Sequence, residues 1–514
     1  IEQAIYNAIN EAACNLNQFT LNKIKLARKS ENNKIACGIL DDIIKNDTLA
    51  SKEIATFLYS TGDLTNEFFQ NHSQIDGKKA HLHLQRLYND DSQKEYYIKH
   101  TFNYKNDEIT VHGFIDGVLK ENGNIILEEI KSTREDLKKI DLDYHQEHLA
   151  QLKLYAYLYG LINNMSIVPV RLTYISVDDY KTKKFNFILT IDELKDFFYK
   201  SIDDYTRWHQ TLSEASTVKL DTLKDITFPF ASKRQGQSEL MKATYLTMKA
   251  NSILYAIAPT GIGKTMATIF STLKSMTKPN EKLFYLTAKT IGREVAIDSF
   301  RMLQNEGLKL HAIVISSKAK SCASKMQHCD PEKCSFAKGY FSRLRQAIED
   351  IYTNEILYSQ ETIMEYALKY NICPFEYSLD LSYFCDAIIC DYNYVFDPKA
   401  HLIRYFEDTE YQPKILCDES HNLVERSKDM YSAEFDSLLP LRIEERISSY
   451  DKTITKNVRH FYDELKKYDD LVNKDLFYYS HLLDDLMLSS LKQIVQKAEL
   501  VLADNKEIKD RDEI

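Results

Sequence analysis

The chain has 514 residues, of which 44% are hydrophobic and 28% charged, and its formal net charge at pH 7 is -10. This length exceeds what one hydrophobic core supports and predicts several domains, while no apolar run of about eighteen residues is available to span a bilayer. Because the net charge is negative, a nucleic-acid partner has to be bound in local basic grooves. The first residues also lack the basic-then-apolar layout of a signal peptide, so we expect a cytoplasmic protein without a membrane segment.

Two regions are predicted in the first part of the chain. Residues 1–50 have a helical pattern and carry no recognisable motif, and residues 51–218 form a domain of mixed helices and strands. Within that domain, 109–120 and 125–132 are apolar runs separated by the turn sequence ENGN. Apolar runs on both sides of a short turn predict a β-hairpin.

This hairpin carries the pattern of a metal-dependent nuclease. Asp116 lies on the first strand, and Glu129 and Lys131 lie on the second. Side chains two residues apart on a strand share a face, so Glu129 and Lys131 point into one site that Asp116 reaches from the neighbouring strand. Two carboxylates suit Mg²⁺ or Mn²⁺, and an ammonium group stabilises charge that develops on a phosphodiester. By the same alternation Glu128 faces away, and we leave it out of the site.

Three more side chains are predicted to surround this site. Gln151 and Tyr155 are one turn apart on one face of a predicted helix. His81 is placed at the start of another helix, with His83 as the nearby alternative.

The order and spacing of these groups resemble the RecB-like branch of the PD-(D/E)xK nucleases over about residues 51–200. The resemblance implies a nuclease fold and a catalytic site made of the following residues: His81, Asp116, Glu129, Lys131, Gln151 and Tyr155.

From residue 219 onward, strands and helices alternate, which is typical of a doubly wound parallel α/β domain. We predict that this domain comprises 219–317 and 386–425. Its strands are predicted at 252–258, 282–288, 309–316, 386–391 and 414–418.

The sequence APTGIGKT at 258–265 has the composition of a phosphate-binding loop. Gly261 and Gly263 let backbone N–H groups turn towards the β- and γ-phosphates of a nucleotide, and Lys264 adds a positive charge. The Thr265 hydroxyl is placed to reach a magnesium ion at the start of the following helix.

The sequence DESH at 418–421 follows the last predicted strand and complements this loop. Its spacing suits Asp418 as the residue that holds the magnesium ion and Glu419 as the residue that polarises the attacking water. His421 completes the motif sterically. Together the two motifs predict a protein that binds the phosphates of a nucleoside triphosphate, holds a magnesium ion on them and is driven by its hydrolysis.

Residues 318–385 interrupt the alternating pattern and contain clustered cysteines. Disulfides are unexpected in a cytosolic chain, so the cluster predicts a metal site. The uneven spacing matches no common zinc finger, whereas an iron–sulfur cluster tolerates it, and zinc stays the alternative. Cys385 is the alternative to Cys373 as the fourth ligand. The predicted ligands are Cys322, Cys329, Cys334 and Cys373.

The position of this segment, between the phosphate loop and DESH, resembles the iron–sulfur superfamily 2 helicases of the XPD/DinG type. The likeness includes YLTAKTIGR at 285–293 and the segment FPF…KRQGQ at 228–237, and it covers roughly 225–425. It implies a RecA-like first motor lobe with Arg234 and Gln237 at the nucleotide. It also implies a 4Fe-4S cluster held by the four cysteines, and 5′-to-3′ movement along single-stranded DNA.

Residues 426–514 have the pattern of amphipathic helices. The resemblance implies that these helices are the beginning of a helical arch. Because no second motor lobe is recognisable, we expect this chain to bind ATP but hydrolyse it slowly. The combined prediction is an ATP-dependent helicase–nuclease acting on single-stranded or branched DNA. Two alternatives stay open: a DNA-binding module in which the nuclease fold is only a clamp, and a structural or sensing protein that binds the cluster and nucleotide as ligands.

Overall fold

The computed structural model describes residues 48–504 with internal gaps. The predicted helical region 1–50 therefore lies outside the described residues except at 48–50, which form a strand rather than a helix. Contacts divide the chain into two compact units, Ile1–Met430 and Tyr431–Ile514. The gaps are 65–69, 106, 122, 260, 325–330, 399, 401, 407–410, 433, 435–437, 439–440, 443, 446–451, 469–470, 473–478 and 480–484.

The first part of unit one is built on a six-stranded mixed sheet in the order β1-β3-β4-β5-β6, with β2 paired to β3. The two runs predicted as a hairpin are β3 and β4, which pair antiparallel, so that prediction is confirmed. The elements are β1 (Thr48–Ala50), α1 (Ser51–Tyr59), α2 (Gln70–Gln85), β2 (Gln93–Tyr104), β3 (Asp107–Glu121), β4 (Asn124–Thr133), α3 (Gln146–Ile162), β5 (Ile167–Ser176) and β6 (Thr182–Thr190).

Strand β3 has different partners along its length. It pairs with β2 on one edge from residue 107 to residue 118. On the other edge it pairs with β1 at 110–112 and with β4 at 117–121. Between these two contacts, residues 113–116 have no strand partner on that edge among the described residues. The sheet is therefore split where Asp116 lies.

A long helix, α4 (Ile191–Asp225), leads from the first sheet into the next domain. Its start is fixed by a capping box, in which Thr190 and Glu193 satisfy each other's backbone N–H groups. The predicted boundary at residue 218 falls inside this helix. Trp208 packs in the core of the following domain, and Lys219 forms a buried ion pair with Asp386 at 2.7 Å. The two domains therefore share a continuous backbone element.

The second part of unit one contains a five-stranded parallel sheet in the order β11-β7-β10-β8-β9. The predicted parallel α/β domain is confirmed. Its elements are α5 (Gln237–Ala250), α6 (Lys264–Ser275), β7 (Glu281–Leu286), α7 (Thr290–Asn305), β8 (Ala312–Val314), α8 (Lys318–Ser321), α9 (Tyr340–Asn354), β9 (Leu357–Tyr358), α10 (Gln360–Tyr370), α11 (Pro374–Leu381), β10 (Ala387–Cys390), α12 (Asn393–Phe396), α13 (Ile403–Phe406), β11 (Gln412–Cys417) and α14 (Leu423–Met430).

The strand predicted at 252–258 is absent, and that prediction is wrong. Four of the five predicted strands correspond to β7, β8, β10 and β11, but 252–258 pairs with none of the described strands. Ile253 is 67% exposed and Ile257 is 98% exposed. The apolar composition that predicts a strand is real, but a strand also needs a neighbour to bond its backbone, and no described strand provides one here.

Unit two contains α15 (Lys452–Lys466) and α16 (Asp485–Asp504), in agreement with the helical pattern of the sequence. Ile454, Val458 and Phe461 on α15 pack with Ile494 on α16. None of the helices in the described ranges combines the length and the apolar content that crossing a bilayer requires.

Candidate active sites

The first site lies at the split in the mixed sheet, where β4 and α3 bring four predicted side chains together. The Lys131 Nζ donates to Glu129 Oε1 at 2.8 Å and to Gln151 Oε1 at 3.0 Å. The Gln151 Nε2 donates to the Tyr155 hydroxyl at 3.1 Å. Asp116 joins them from β3, because its Oδ2 accepts a hydrogen bond of 2.7 Å from the Ile130 N–H. Strand alternation and helical spacing therefore converge on one cluster.

Burial raises the pKa of both carboxylates of this cluster. It raises the pKa of Asp116 to about 6 against the attraction of Lys131, and it raises the pKa of Glu129 to about 7, with the Asp116 charge adding to the effect. The Glu129 Oε2 is buried and has no hydrogen-bond partner among the described residues. Paired buried carboxylates with an unsatisfied oxygen fit a divalent cation. The described residues contain no group of three His, Cys, Asp or Glu side chains already arranged for a metal.

We predict that Mn²⁺ binds this site about 100-fold more tightly at pH 7.5 than at pH 5.5. Both carboxylates must lose their protons to bind the cation, and pKa values of about 6 and 7 place both losses in that interval. Calorimetric titration of the protein with MnCl₂ at the two pH values measures the ratio. An affinity that is the same at both values would contradict the assignment, and the Asp116→Asn protein provides the baseline.

His81 lies near the end of α2, not at its start as predicted. The helix begins eleven residues earlier, at Gln70. The ring is still close to the cluster: burial and then Lys131 lower the pKa of His81, while Glu129 raises it. His83 faces outward and stacks on Tyr180.

Glu128 faces away from the cluster, as strand alternation predicted. Its Oε2 accepts a 2.6 Å hydrogen bond from the Tyr88 hydroxyl on the opposite face of the sheet.

Sequence reasoning missed three groups at this site. Lys52, at the start of α1, interacts electrostatically with Lys131, Glu129 and Asp116, and burial is the main cause that lowers its pKa. Glu95 lies opposite Asp116 in the β2–β3 register, has a φ of 49°, and interrupts the ladder there. Such a conformation is uncommon for a residue with a side chain.

The third missed group is His148, which the helical spacing could have identified. It lies three residues before Gln151 and seven before Tyr155, and therefore on the same face of α3. Its Nδ1 is 3.0 Å from the hydroxyl of Tyr174, the β5 residue that pairs with Lys131. Burial, followed by Lys131, holds the pKa of His148 well below its ordinary value.

The second site lies at the start of α6. Gly261 and Gly263 have φ values of 85° and 78°, which glycine adopts without strain, and the helix begins at Lys264. The Lys264 Nζ lies 3.2 Å from Glu419 Oε1, and the Thr265 hydroxyl accepts from Tyr285 at 3.3 Å. Backbone N–H groups at a helix start, with an ammonium beside them, fit the phosphates of a nucleotide.

Asp418 and Glu419 face this loop from the end of β11. Glu419 has a φ of 51°, and the Tyr392 hydroxyl donates to the carbonyl oxygens of Asp418 and Glu419 and so holds the turn in place. Burial, followed by the Glu419 charge, raises the pKa of Asp418. The hydrogen bond from Lys264 lowers the pKa of Glu419. The His421 Nδ1 is 3.5 Å from the second Glu419 oxygen.

Arg234 and Gln237 contact the backbone of the phosphate loop. The Arg234 guanidinium donates to the Gly261 carbonyl oxygen, and Gln237 Nε2 lies 3.4 Å from the Gly263 carbonyl oxygen. The Arg234 N–H donates to Gln237 Oε1 at 3.1 Å, which joins the two residues. Both residues therefore hold the phosphate loop by its backbone.

Three of the four predicted cysteine ligands line one cavity, together with Phe336, Ala337 and Pro374. They are Cys322, Cys334 and Cys373, and none of the three forms a disulfide within the described part of the chain. Cys329 lies outside the described residues. Cys385 does not line this cavity: its thiol donates to the Leu381 carbonyl oxygen in the core, and burial raises its pKa. A cavity lined by three thiols is the structural basis for proposing a Cys-rich metal centre here.

A short loop, residues 61–64, connects this cysteine segment to the first site. The Leu64 N–H donates to the Ala337 carbonyl oxygen at 2.8 Å, and Asp63 Oδ1 accepts from the Gly339 N–H at 2.6 Å. At its other end, Thr61 exchanges hydrogen bonds with the start of α3: its N–H donates to Glu147 at 3.2 Å, and its hydroxyl accepts from the Gln146 N–H at 3.0 Å. Hydrogen bonds through this loop therefore connect the cysteine segment to α3, the helix that carries Gln151.

Two family models match the chain in the regions just described. The model of the PD-(D/E)XK nuclease superfamily matches residues 45–238, and the DEAD_2 model matches residues 304–438. The chain combines an XPD-like helicase domain with a PD-(D/E)XK-like domain. The recognition of both families from the sequence is thereby confirmed.

Individual proteins and solved structures are similar to parts of this chain. The XPD helicase subunit of the general transcription and DNA repair factor IIH from Dictyostelium discoideum is 28% identical over 145 residues, which is 28% of this chain and 17% of that protein. The chain thus spans less than a fifth of that relative's length. Among solved structures, a truncated XPD is 16% identical over 54% of this chain and 79% of its own, with a TM-score of 0.35. The crystal structure of SSO0001 is 17% identical over 36% of this chain and 85% of its own, with a TM-score of 0.23.

Proposed function

We propose that this chain belongs to a cytoplasmic ATP-dependent helicase–nuclease that moves on single-stranded DNA, in the 5′-to-3′ direction, and cuts its phosphodiester backbone. The observation that carries the proposal is the convergence of Asp116, Glu129, Lys131 and Gln151 at the split in the mixed sheet. A phosphate-binding loop facing two acidic residues in the same unit supports the motor half.

At the nuclease site, Mg²⁺ or Mn²⁺ held by Asp116 and Glu129 would supply an activated water and neutralise charge on the phosphate. The chain's own contribution is the placement of Lys131. Its ammonium is oriented by Glu129 at 2.8 Å and Gln151 at 3.0 Å, and Tyr155 fixes the Gln151 amide in turn. A preoriented ammonium stabilises the negative charge of the transition state without reorganising during the reaction.

At the nucleotide site, Lys264 and the N-terminus of α6 would bind the β- and γ-phosphates of ATP. Thr265 and Asp418 would hold the magnesium ion, and Glu419 would orient the attacking water. Glu419 pairs with Lys264 at 3.2 Å. A phosphate bound to Lys264 would compete with this pair and leave the Glu419 carboxylate to that water.

The cysteine cavity is proposed to hold a 4Fe-4S cluster through Cys322, Cys329, Cys334 and Cys373. We predict that anaerobically purified protein contains about four irons and is brown. The Cys334→Ser and Cys373→Ser proteins should contain less iron and show faster amide hydrogen exchange at 334–341. Exchange should also be faster at 61–64, because backbone hydrogen bonds join these two segments. Cys390→Ala replaces a buried cysteine that does not line the cavity, and this protein should keep its iron and its slow exchange at both segments. Zinc in place of iron would contradict the cluster assignment.

The function is tested by two measurements on the same preparation. Cleavage of a 5′-labelled single strand with Mn²⁺, and ATP turnover with and without that strand, report on the two sites separately. We expect cleavage that depends on the metal and slow ATP turnover that rises on adding the strand. Binding without cleavage would reduce the nuclease fold to a clamp, and turnover that ignores DNA would contradict the motor assignment.

A further inference from the structure

Two aromatic side chains that contribute little to the core face each other on the outer side of the β2–β3 hairpin. Tyr97 and Phe114 are paired in register, are 50% and 54% exposed, and have ring centroids 5.0 Å apart. Their strand neighbours Ile98 and Ile115 point into the core. Single exposed apolar residues are common on protein surfaces. Two large rings exposed side by side instead form a contiguous apolar patch, which indicates a binding surface.

This aromatic pair borders the nuclease site. Phe114 lies two residues before Asp116, within residues 113–116, where β3 has no strand partner on the split edge among the described residues. Gly113, the residue before Phe114, packs against the Tyr155 ring so closely that a Cβ there would overlap it. Because Phe114 and Asp116 are two residues apart on β3, a strand of nucleic acid that lies across Tyr97 and Phe114 passes close to the split in the sheet at Asp116.

The charges beside the pair suit a phosphate backbone. Lys94 and Lys99 on β2 are exposed, and Lys99 is paired with His112 across the hairpin. The acidic neighbour Glu95 is engaged by Gln85 at 2.8 Å. Exposed rings with cations alongside are the pattern by which proteins bind single strands, because every unpaired base offers a flat face for stacking while lysines contact the phosphates.

We propose that Tyr97 and Phe114 stack unpaired bases of single-stranded DNA and so deliver its backbone to Asp116. The inference rests on the proposed nuclease function and names the surface that selects single strands for it. Bases inside a duplex are stacked on each other, and their faces are not available to these rings. The surface therefore favours single strands over duplex.

The test uses the full chain in the Asp116→Asn background, so that binding is measured without cutting. The probe is a 20-nucleotide single strand containing 2-aminopurine, whose fluorescence is quenched when the base stacks on a ring. Quenching reports the local contact even if the motor domain also binds the strand. Tyr97→Ala and Phe114→Ala should each remove most of the quenching and weaken binding of the strand about fivefold or more.

Three controls make the outcome decisive. Ile188→Ala changes a 74% exposed apolar side chain on β6 and should leave quenching unchanged. Phe114→Trp should keep it, because the indole also stacks. Binding of a hairpin duplex should change less than twofold in the alanine variants. Unchanged quenching in both alanine variants, or equal loss for single strand and duplex, would overturn the proposal. A quenched strand that the wild-type chain never cuts would instead contradict the nuclease assignment alone.

Discussion

Replacing Asp116 with asparagine should lower metal-dependent cleavage of single-stranded DNA by about 1,000-fold or more. A bound cation contributes several kcal/mol to the transition state of phosphodiester hydrolysis, and each 1.36 kcal/mol corresponds to a factor of ten in rate. Asparagine removes the charge that binds the cation but keeps an oxygen that can accept the 2.7 Å hydrogen bond from Ile130. The fold is therefore expected to survive.

The alanine variant separates chemistry from structure. Asp116→Ala leaves the Ile130 N–H without its acceptor, at a cost of about 1–3 kcal/mol in the free energy of unfolding, whereas Asp116→Asn does not. Both should lose cleavage equally. Glu108→Ala, which removes an exposed acid from the same strand, serves as the matched control. Cleavage by Asp116→Asn at more than a tenth of the wild-type rate would place the metal elsewhere, and DNA-stimulated ATP turnover should stay unchanged in all three proteins.

The nuclease cluster is largely predictable because its members follow local periodicities. Glu129 and Lys131 share a face through strand alternation, and Gln151 and Tyr155 share one through the helical repeat. The structure joins both pairs through the Lys131–Gln151 hydrogen bond. What sequence could not give is the contribution of Lys52, because its nearness to Glu129 depends on β1 pairing with β3 across about sixty residues. No local pattern encodes that contact.

The errors have the same origin. The apolar run 252–258 has the composition of a strand, but pairing is a tertiary property, and none of the described strands lies beside it. The domain boundary at 218 stays a prediction, and α4 runs past it to Asp225 and packs Trp208 against Tyr352 and Phe384. His81 is not at a helix start, because the polar residues before it resemble a loop in sequence but are helical in the structure.

Replacing Lys264 with alanine should weaken ATP binding about 10- to 100-fold and abolish DNA-stimulated ATP turnover, with cleavage by the nuclease site unchanged. Lys264 is the ammonium group that the phosphate loop places at the start of α6, and hydrogen bonds to charged groups contribute about 1.5–3 kcal/mol each. The fold loses little, because the Lys264–Glu419 pair is partly exposed and such pairs contribute about 0–1 kcal/mol.

Lys274→Ala is the matched control, since it removes a lysine from the last turn of the same helix, away from the loop. Binding of a fluorescent ATP analogue, ATP turnover with a single strand, and Mn²⁺-dependent cleavage are measured on wild-type, Lys264→Ala and Lys274→Ala proteins. Lys264 begins α6 in the parallel-sheet domain, whereas Lys131 lies on β4 of the mixed sheet, so each site should fail independently of the other. Lys264→Ala should lose turnover but keep cleavage, and Asp116→Asn should keep turnover but lose cleavage. If Lys264→Ala also stopped cleavage in the absence of ATP, the two sites could not be independent, and the loop 61–64 that links the cysteine segment to α3 would be the first contact to examine.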